Sequence, residues 1–249
     1  MAQRASDLGH SPVLAGRNPE KLRDQEDGLE GSFETRDFEL DNPEDVAEEL
    51  DESGVDAVLN CAGPFAKTYE PLVEACVDTG THYLDITGEV EVFRGIEAYD
   101  KRAEKEGVTL IPGVGFDVVP TDCLSLHLKN RLQSADSLTV AVKALSSISH
   151  GTALTVVENI GEGGLVRRSG ALEKVPTAWK SREFDFGARD EDREVGITVP
   201  LGDVVTAYHS TRIPNIETYV TVPPKARYVV ESTRYIGGVL GSPPVKKLL

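Results

Sequence analysis

Apolar positions in the first half of the chain follow two rhythms. Short apolar runs at 12–16 (PVLAG), 56–63 (DAVLNCAG), 82–88 (HYLDITG) and 108–115 (VTLIPGVG) read as strands. Phe33–Leu40 is a further candidate strand. Between these runs lie amphipathic stretches that predict helices over 18–27, from Pro43 to near Gly54, from Pro64 to Val77, over 89–106 and over 120–132. Asn42-Pro43 is a start signal, because Asn caps free backbone N–H groups and Pro is favoured at the first helical position. Gly80 and Gly107 close two of the helices. Residues 2–10 read as the tail of a helix.

The second half reads differently. Residues 137–145 alternate as a strand, 150–162 suit a helix capped at or near Thr152, and Gly161, Gly163 and Gly164 break it. Arg182–Phe186, Val195–Val199 and 216–222 are short strands, the first two separated by the charged turn GARDEDR. Strands alternating with helices imply βαβ units and a parallel sheet. The expectation is an α/β protein with a Rossmann-like doubly wound parallel sheet over residues 1–130 and a second, mixed α+β substrate or dimerisation domain over 131–249. The first strand and the Gly-rich loop of such a sheet do not precede residue 12, so the first domain is expected to be N-terminally truncated, and the second to be incomplete at its C-terminus. In a 3-2-1-4-5-6 sheet the first strand is central. Its loss would leave flanking ladder groups unpaired unless the neighbouring strands close up.

Candidate chemistry sits at the strand ends, where open α/β sheets bind ligands. Arg17 follows the PVLAG strand, at the position where an NAD site places an acidic residue for the ribose 2′-OH. An Arg there suits a 2′-phosphate, with Asn18 beside it and Lys21 one turn on. The cofactor expected is therefore NADP rather than NAD. NCAGPF (60–65) turns from strand into helix, and its small residues would let the backbone approach a nicotinamide ribose; Asn60, Ala62, Gly63 and Pro64 are candidates. LDITGE (84–89) offers Asp85, Thr87 and Gly88, and PGVGFDVVPTD (112–122) offers Gly115, Phe116 and Asp117. Asp85, Glu89, Asp117 and Asp122 read equally as helix-capping or first-turn acids. Tyr69 and Asp117 are the candidate proton donors.

Composition narrows the class. The 249 residues carry 42 acidic and 26 basic side chains, a net charge of −16. That sign argues against nucleic acid as a partner. The dispersed acidity fits a surface adapted to high salt or an ordinary acidic cytoplasmic protein. No apolar run is long enough for a membrane span, and no secretory leader is evident. The three cysteines have no metal or redox spacing, and Cys61 and Cys76 are expected in the core. The five histidines are scattered, so no metal site is expected.

VLNCAGPF, THYLDITGE, PGVGFDVVPTDC, GTALTVVENIGEGGLVRR and TAYHSTRIPNIETYV, in that order, resemble the saccharopine dehydrogenase-like oxidoreductases. The branch they resemble includes the trans-acting enoyl reductases. The resemblance spans roughly residues 10–225. It implies hydride transfer between NADP(H) and a small C=N or C=C substrate, with a homodimer as one possible assembly. The alternatives are a catalytically silent remnant that serves as a binding or oligomerisation module, and a non-redox nucleotide sensor.

Overall fold

The computed structural model describes residues 1–143, 163–187 and 193–221, in two compact units. Unit 1 holds residues 1–62, 66–85 and 95–112; unit 2 holds 63–65, 86–94 and 113–249. Residues 113–130, expected with the first domain, are thus grouped in unit 2.

The first half alternates as the sequence predicts: α1 (Ala2–Asp7), β1 (Val13–Ala15), α2 (Pro19–Asp27), β2 (Glu34–Arg36), α3 (Pro43–Ser53), β3 (Ala57–Asn60), α4 (Phe65–Thr79) and β4 (His82–Asp85). Then follow α5 (Val90–Glu97), α6 (Asp100–Glu106), β5 (Leu110–Ile111) and α7 (Val119–Lys129). The local signals act as expected at α3. The Asn42 side chain accepts from the Glu44 amide at 3.2 Å, Pro43 opens the helix, and Gly54 ends it at φ 58°. Val46 and Leu50, four residues apart, form its buried face.

The parallel strands of unit 1 form two sheets. β1 pairs with β2 from Val13↔Glu34 to Ala15↔Arg36. β3, β4 and β5 form the second sheet, with Ala57↔His82 through Asn60↔Asp85 in register. Among the described residues no strand joins β1 to β3, and the two have not closed up on one another. Leu59 on β3 is 41% exposed and Ile111 on β5 is 45% exposed.

Unit 2 is built on a six-stranded mixed sheet: β6 (Ser137–Val142), β7 (Gly164–Arg168), β8 (Ala171–Val175), β9 (Ser181–Asp185), β10 (Arg193–Thr198) and β11 (Asn215–Thr221). β11 runs parallel to β6 and antiparallel to β10, while β7 and β8 form a hairpin. One further helix, α8 (Asp203–Thr211), packs on β11 and β7 and crosses α7. Val90 and Phe93 of α5, Val118, Val204, Val205 and Ala207 of α8, and Ile216 of β11 make one apolar cluster.

Several expectations need correction. The single helix over 89–106 is two helices, because Ala98 and Tyr99 donate to Gly95 and Ile96 in tight three-residue turns. The 108–115 strand keeps only Leu110 and Ile111. Cys61 is exposed rather than core, whereas Cys76 is buried as expected. The hairpin β7–β8 and the helix α8 are additions. The hairpin turn is Ser169-Gly170, both at positive φ (48° and 84°), which matches the twist of the strands it joins. The helix expected over 150–162 lies outside the described residues, as does most of the GARDEDR turn.

Candidate functional site

The strand ends of unit 1 carry two features. The first is the turn after β1. Arg17 is exposed, and Asn18 caps α2 by accepting from the Glu20 and Lys21 amides at 3.0 and 3.1 Å. The carboxamide oxygen of Asn18 is therefore used on its own helix. Lys21, in the first turn of α2, is also exposed. A guanidinium and an ammonium flanking a capped helix start suit a phosphate monoester, which takes bidentate bonds from Arg and a point charge from Lys. Glu20 stands in the same turn.

The second feature is a polar network at the ends of β3 and β4. Asn60 is 3% exposed, and Tyr83 and Asp85 are fully buried. The parallel register sets Asn60 opposite Asp85 and Val58 opposite Tyr83. The Tyr83 hydroxyl donates to Asp85 Oδ2 at 2.9 Å and accepts from Asn60 Nδ2 at 3.2 Å. Asn60 Nδ2 also reaches Thr68 Oγ1 at 3.2 Å, and Asn60 Oδ1 accepts from the Ala62 amide at 2.9 Å. Thr68 Oγ1 donates to the Ala62 carbonyl at 2.6 Å. Both backbone groups of Ala62 are thereby held by side chains. Burial and the adjacent Asp85 carboxylate push the Tyr83 phenol well above its ordinary value. The neighbouring Cys61 thiol is raised mainly by desolvation.

Asn60, Ala62 and Asp85 are therefore brought together, with Asn60 and Asp85 turned inward. Tyr69 stands apart on α4, with its ring against Gly95, where a Cβ would lie 2.6 Å from Tyr69 Cζ. Tyr83 and Thr68 are additions to the sequence-derived set. An alternating reading of HYLD places Tyr83 and Asp85 on one face, which is the signal that could have paired them.

In unit 2, the residues from the other strand ends pack through glycines. A Cβ on Gly88 would meet Asp117 Oδ2 at 3.3 Å, and one on Gly115 would meet Ile86 Cβ at 3.1 Å. The Thr87 side chain is buried and accepts from the Glu89 amide at 3.0 Å, and Glu89 Oε1 accepts from the Phe65 amide at 3.0 Å. Gly63 and Pro64 belong to this unit and are joined by a cis peptide bond. Phe116 is 73% exposed and Asp117 is exposed. Asp122 is not free: its Oδ2 accepts from Ser210 Oγ at 2.5 Å. Asp203, which no sequence motif marks, is fully buried, and desolvation pushes its carboxyl up to about 6. No group of three or more potential metal ligands occurs among the described residues.

Residues 1–111 match the family model of the saccharopine dehydrogenase NADP binding domain. The chain is 34% identical over 149 residues to the saccharopine dehydrogenase-like oxidoreductase of Mus musculus, across 59% of this chain and 30% of that protein. It is 35% identical over 135 residues to the trans-acting enoyl reductase of Mycobacterium ulcerans, across 53% of this chain and 31% of that protein. The chain thus spans less than a third of these two relatives. Among solved structures, the apo saccharopine dehydrogenase (L-Glu forming) from Saccharomyces cerevisiae shares the fold, with a TM-score of 0.60 at 13% identity, over 88% of this chain and 52% of that one. The resemblance drawn from the sequence motifs holds, as does the α/β class with Rossmann-like parallel strands and a further sheet.

Proposed function

We propose that this chain, whose residues 1–111 carry a saccharopine dehydrogenase type of NADP-binding domain, is part of an oxidoreductase that transfers hydride between NADP(H) and a small C=N or C=C substrate. The nicotinamide supplies the hydride chemistry when bound; the protein binds, orients and tunes it. Arg17 and Lys21 are the residues assigned to the 2′-phosphate, and Asn18 fixes the helix start from which Lys21 projects. The observation that carries this reading is the exposed Arg17 directly after β1, where an NAD site would hold an acid.

In unit 1 the Asn60–Tyr83–Asp85–Thr68 network has a positioning role. It ties down both backbone groups of Ala62 and so fixes the course of the chain at the end of β3, against which a ribose would lie. Within unit 2, Gly63, Pro64, Thr87, Gly88, Gly115 and Phe116 are assigned to the nicotinamide and substrate side. Asp117, exposed beside Gly88, is the proton-donor candidate that the geometry supports better than Tyr69.

The test is turnover of this chain, followed by NADPH fluorescence, on a panel of imines and enoyl thioesters. Oxidation of NADPH that depends on one substrate class supports the proposal and names the class. NADPH binding without turnover on either class would point to the nucleotide-sensor alternative.

A further inference from the structure

One carboxylate joins two of the loops that follow the parallel strands. Glu89 Oε1 accepts from the Phe65 amide at 3.0 Å, across 24 residues of chain. Phe65 is the first residue of α4, and the two residues before it are Gly63 and Pro64. Neither has a side chain that can accept from a first-turn amide. The acceptor comes instead from the next loop. The turn itself stays accessible: Gly63 is exposed and Pro64 is half-buried.

Glu89 is rooted on both sides. Its amide donates to Thr87 Oγ1 at 3.0 Å, and the Thr87 side chain is buried. Its carbonyl accepts from the Val92 and Phe93 amides at 3.1 and 3.3 Å, at the start of α5. Phe93 belongs to the apolar cluster, and a Cβ on either Gly113 or Gly202 would stand 2.6 Å from its ring. The side chain that reaches Phe65 thus projects from a backbone held by a buried hydroxyl and a core ring. Little freedom remains to be lost when the bond forms.

Gly88 lies between Thr87 and Glu89. A Cβ there would meet Asp117 Oδ2 at 3.3 Å, so the absence of a side chain lets the Asp117 carboxylate close on the loop. The segment from Thr87 to Glu89 is therefore a bridge within unit 2. At Gly88 it packs on the proton-donor candidate, and through Glu89 it holds the Gly63-Pro64 turn.

We propose that Glu89 is a positioning residue of the nicotinamide side: its bond to the Phe65 amide holds the Gly63-Pro64 turn in a fixed place relative to Gly88 and Asp117, so that a nicotinamide ring lies in one orientation toward the proton donor. This rests on the assignment of these loops to the nicotinamide made under the proposed function. The contacts of Glu89 named above lie in unit 2, whereas Arg17 and Lys21 belong to unit 1. Loss of the Glu89 bond frees the nicotinamide end of bound NADPH and leaves discrimination at the 2′-phosphate as it was.

The test compares wild type with Glu89→Gln, which keeps an oxygen that can accept from Phe65, and with Glu89→Ala, which does not. In the nucleotide-free chain the Phe65 amide should exchange about tenfold faster in Glu89→Ala, and Glu89→Gln should recover most of the protection. By calorimetry, Glu89→Ala should keep the wild-type ratio of NADPH to NADH affinity within about threefold. The nicotinamide emission of bound NADPH, which rises when the ring is held, should fall toward the free value in Glu89→Ala and return in Glu89→Gln. Wild-type emission in Glu89→Ala, a lost preference for NADPH in that variant, or a Glu89→Gln that behaves like Glu89→Ala overturns the positioning role alone. A wild type that does not bind NADPH overturns the functional reading and this role with it. If Glu89→Ala does not fold, Glu89→Asp, one methylene shorter, takes its place with the same expected results.

Discussion

The Tyr83 hydroxyl donates to Asp85 Oδ2 at 2.9 Å, with both side chains fully excluded from solvent. Two strand positions on the same face of β4 are thus tied to Asn60 on β3, and through it to Ala62. The arrangement turns the end of a parallel strand pair into a fixed backbone surface.

Removing one hydroxyl tests it. Tyr83→Phe leaves Asp85 Oδ2 and one proton of the Asn60 amide without this partner, which costs about 1–3 kcal/mol for buried groups. The unfolding free energy from a urea titration should fall by that amount, with a lower midpoint and an unchanged slope, and the Ala62 amide should exchange faster with solvent.

Gly113 carries a second prediction. It has φ 73°, and a Cβ there would stand 2.6 Å from Phe93 Cζ. Gly113→Ala combines backbone strain with a clash against a core ring and should cost more than about 1–3 kcal/mol. The measurement is the thermal midpoint. Gly54→Ala is the comparison: it shares positive φ, at 58°, but meets nothing within 4 Å, so it should lose less.

The cysteines should separate by reactivity. Burial pushes the Cys76 thiol up to about 12, so it is neither accessible nor ionised near neutral pH. Cys123 is exposed. A thiol reagent at pH 8 should modify Cys123 first and Cys61, whose thiol is raised, more slowly. Cys76 should react only after unfolding. Mass mapping of the modified sites gives the order.

Much of the first half was legible because its signals are local. The Asn42-Pro43 cap, the closing glycines and the apolar β runs each act within a few residues, and the elements fall where they place them. The long helix expected over 89–106 failed because amphipathic periodicity survives a tight turn at Gly95–Tyr99 that breaks the hydrogen-bond ladder. Cys61 was misplaced because an apolar neighbourhood in sequence does not decide which side of a sheet is covered. The strand ends that carry the candidate residues were legible, but the inward orientation of Asn60 and Asp85 depends on Tyr83 and Thr68, which only the parallel register brings beside them. Asp203 gave no motif at all. Its character arises from burial against a helix 80 residues earlier in the chain.

Under the proposed function, Arg17 reads the 2′-phosphate of NADP(H). The most direct test is a paired titration of wild type and Arg17→Glu with NADPH and with NADH, at high salt. Wild type should bind NADPH more tightly than NADH. Arg17→Glu should lose about tenfold or more of the NADPH affinity, as expected for a charged hydrogen-bonded contact, while NADH binding is little changed. Equal affinities in wild type, or an Arg17→Glu variant that still prefers NADPH, would contradict that reading.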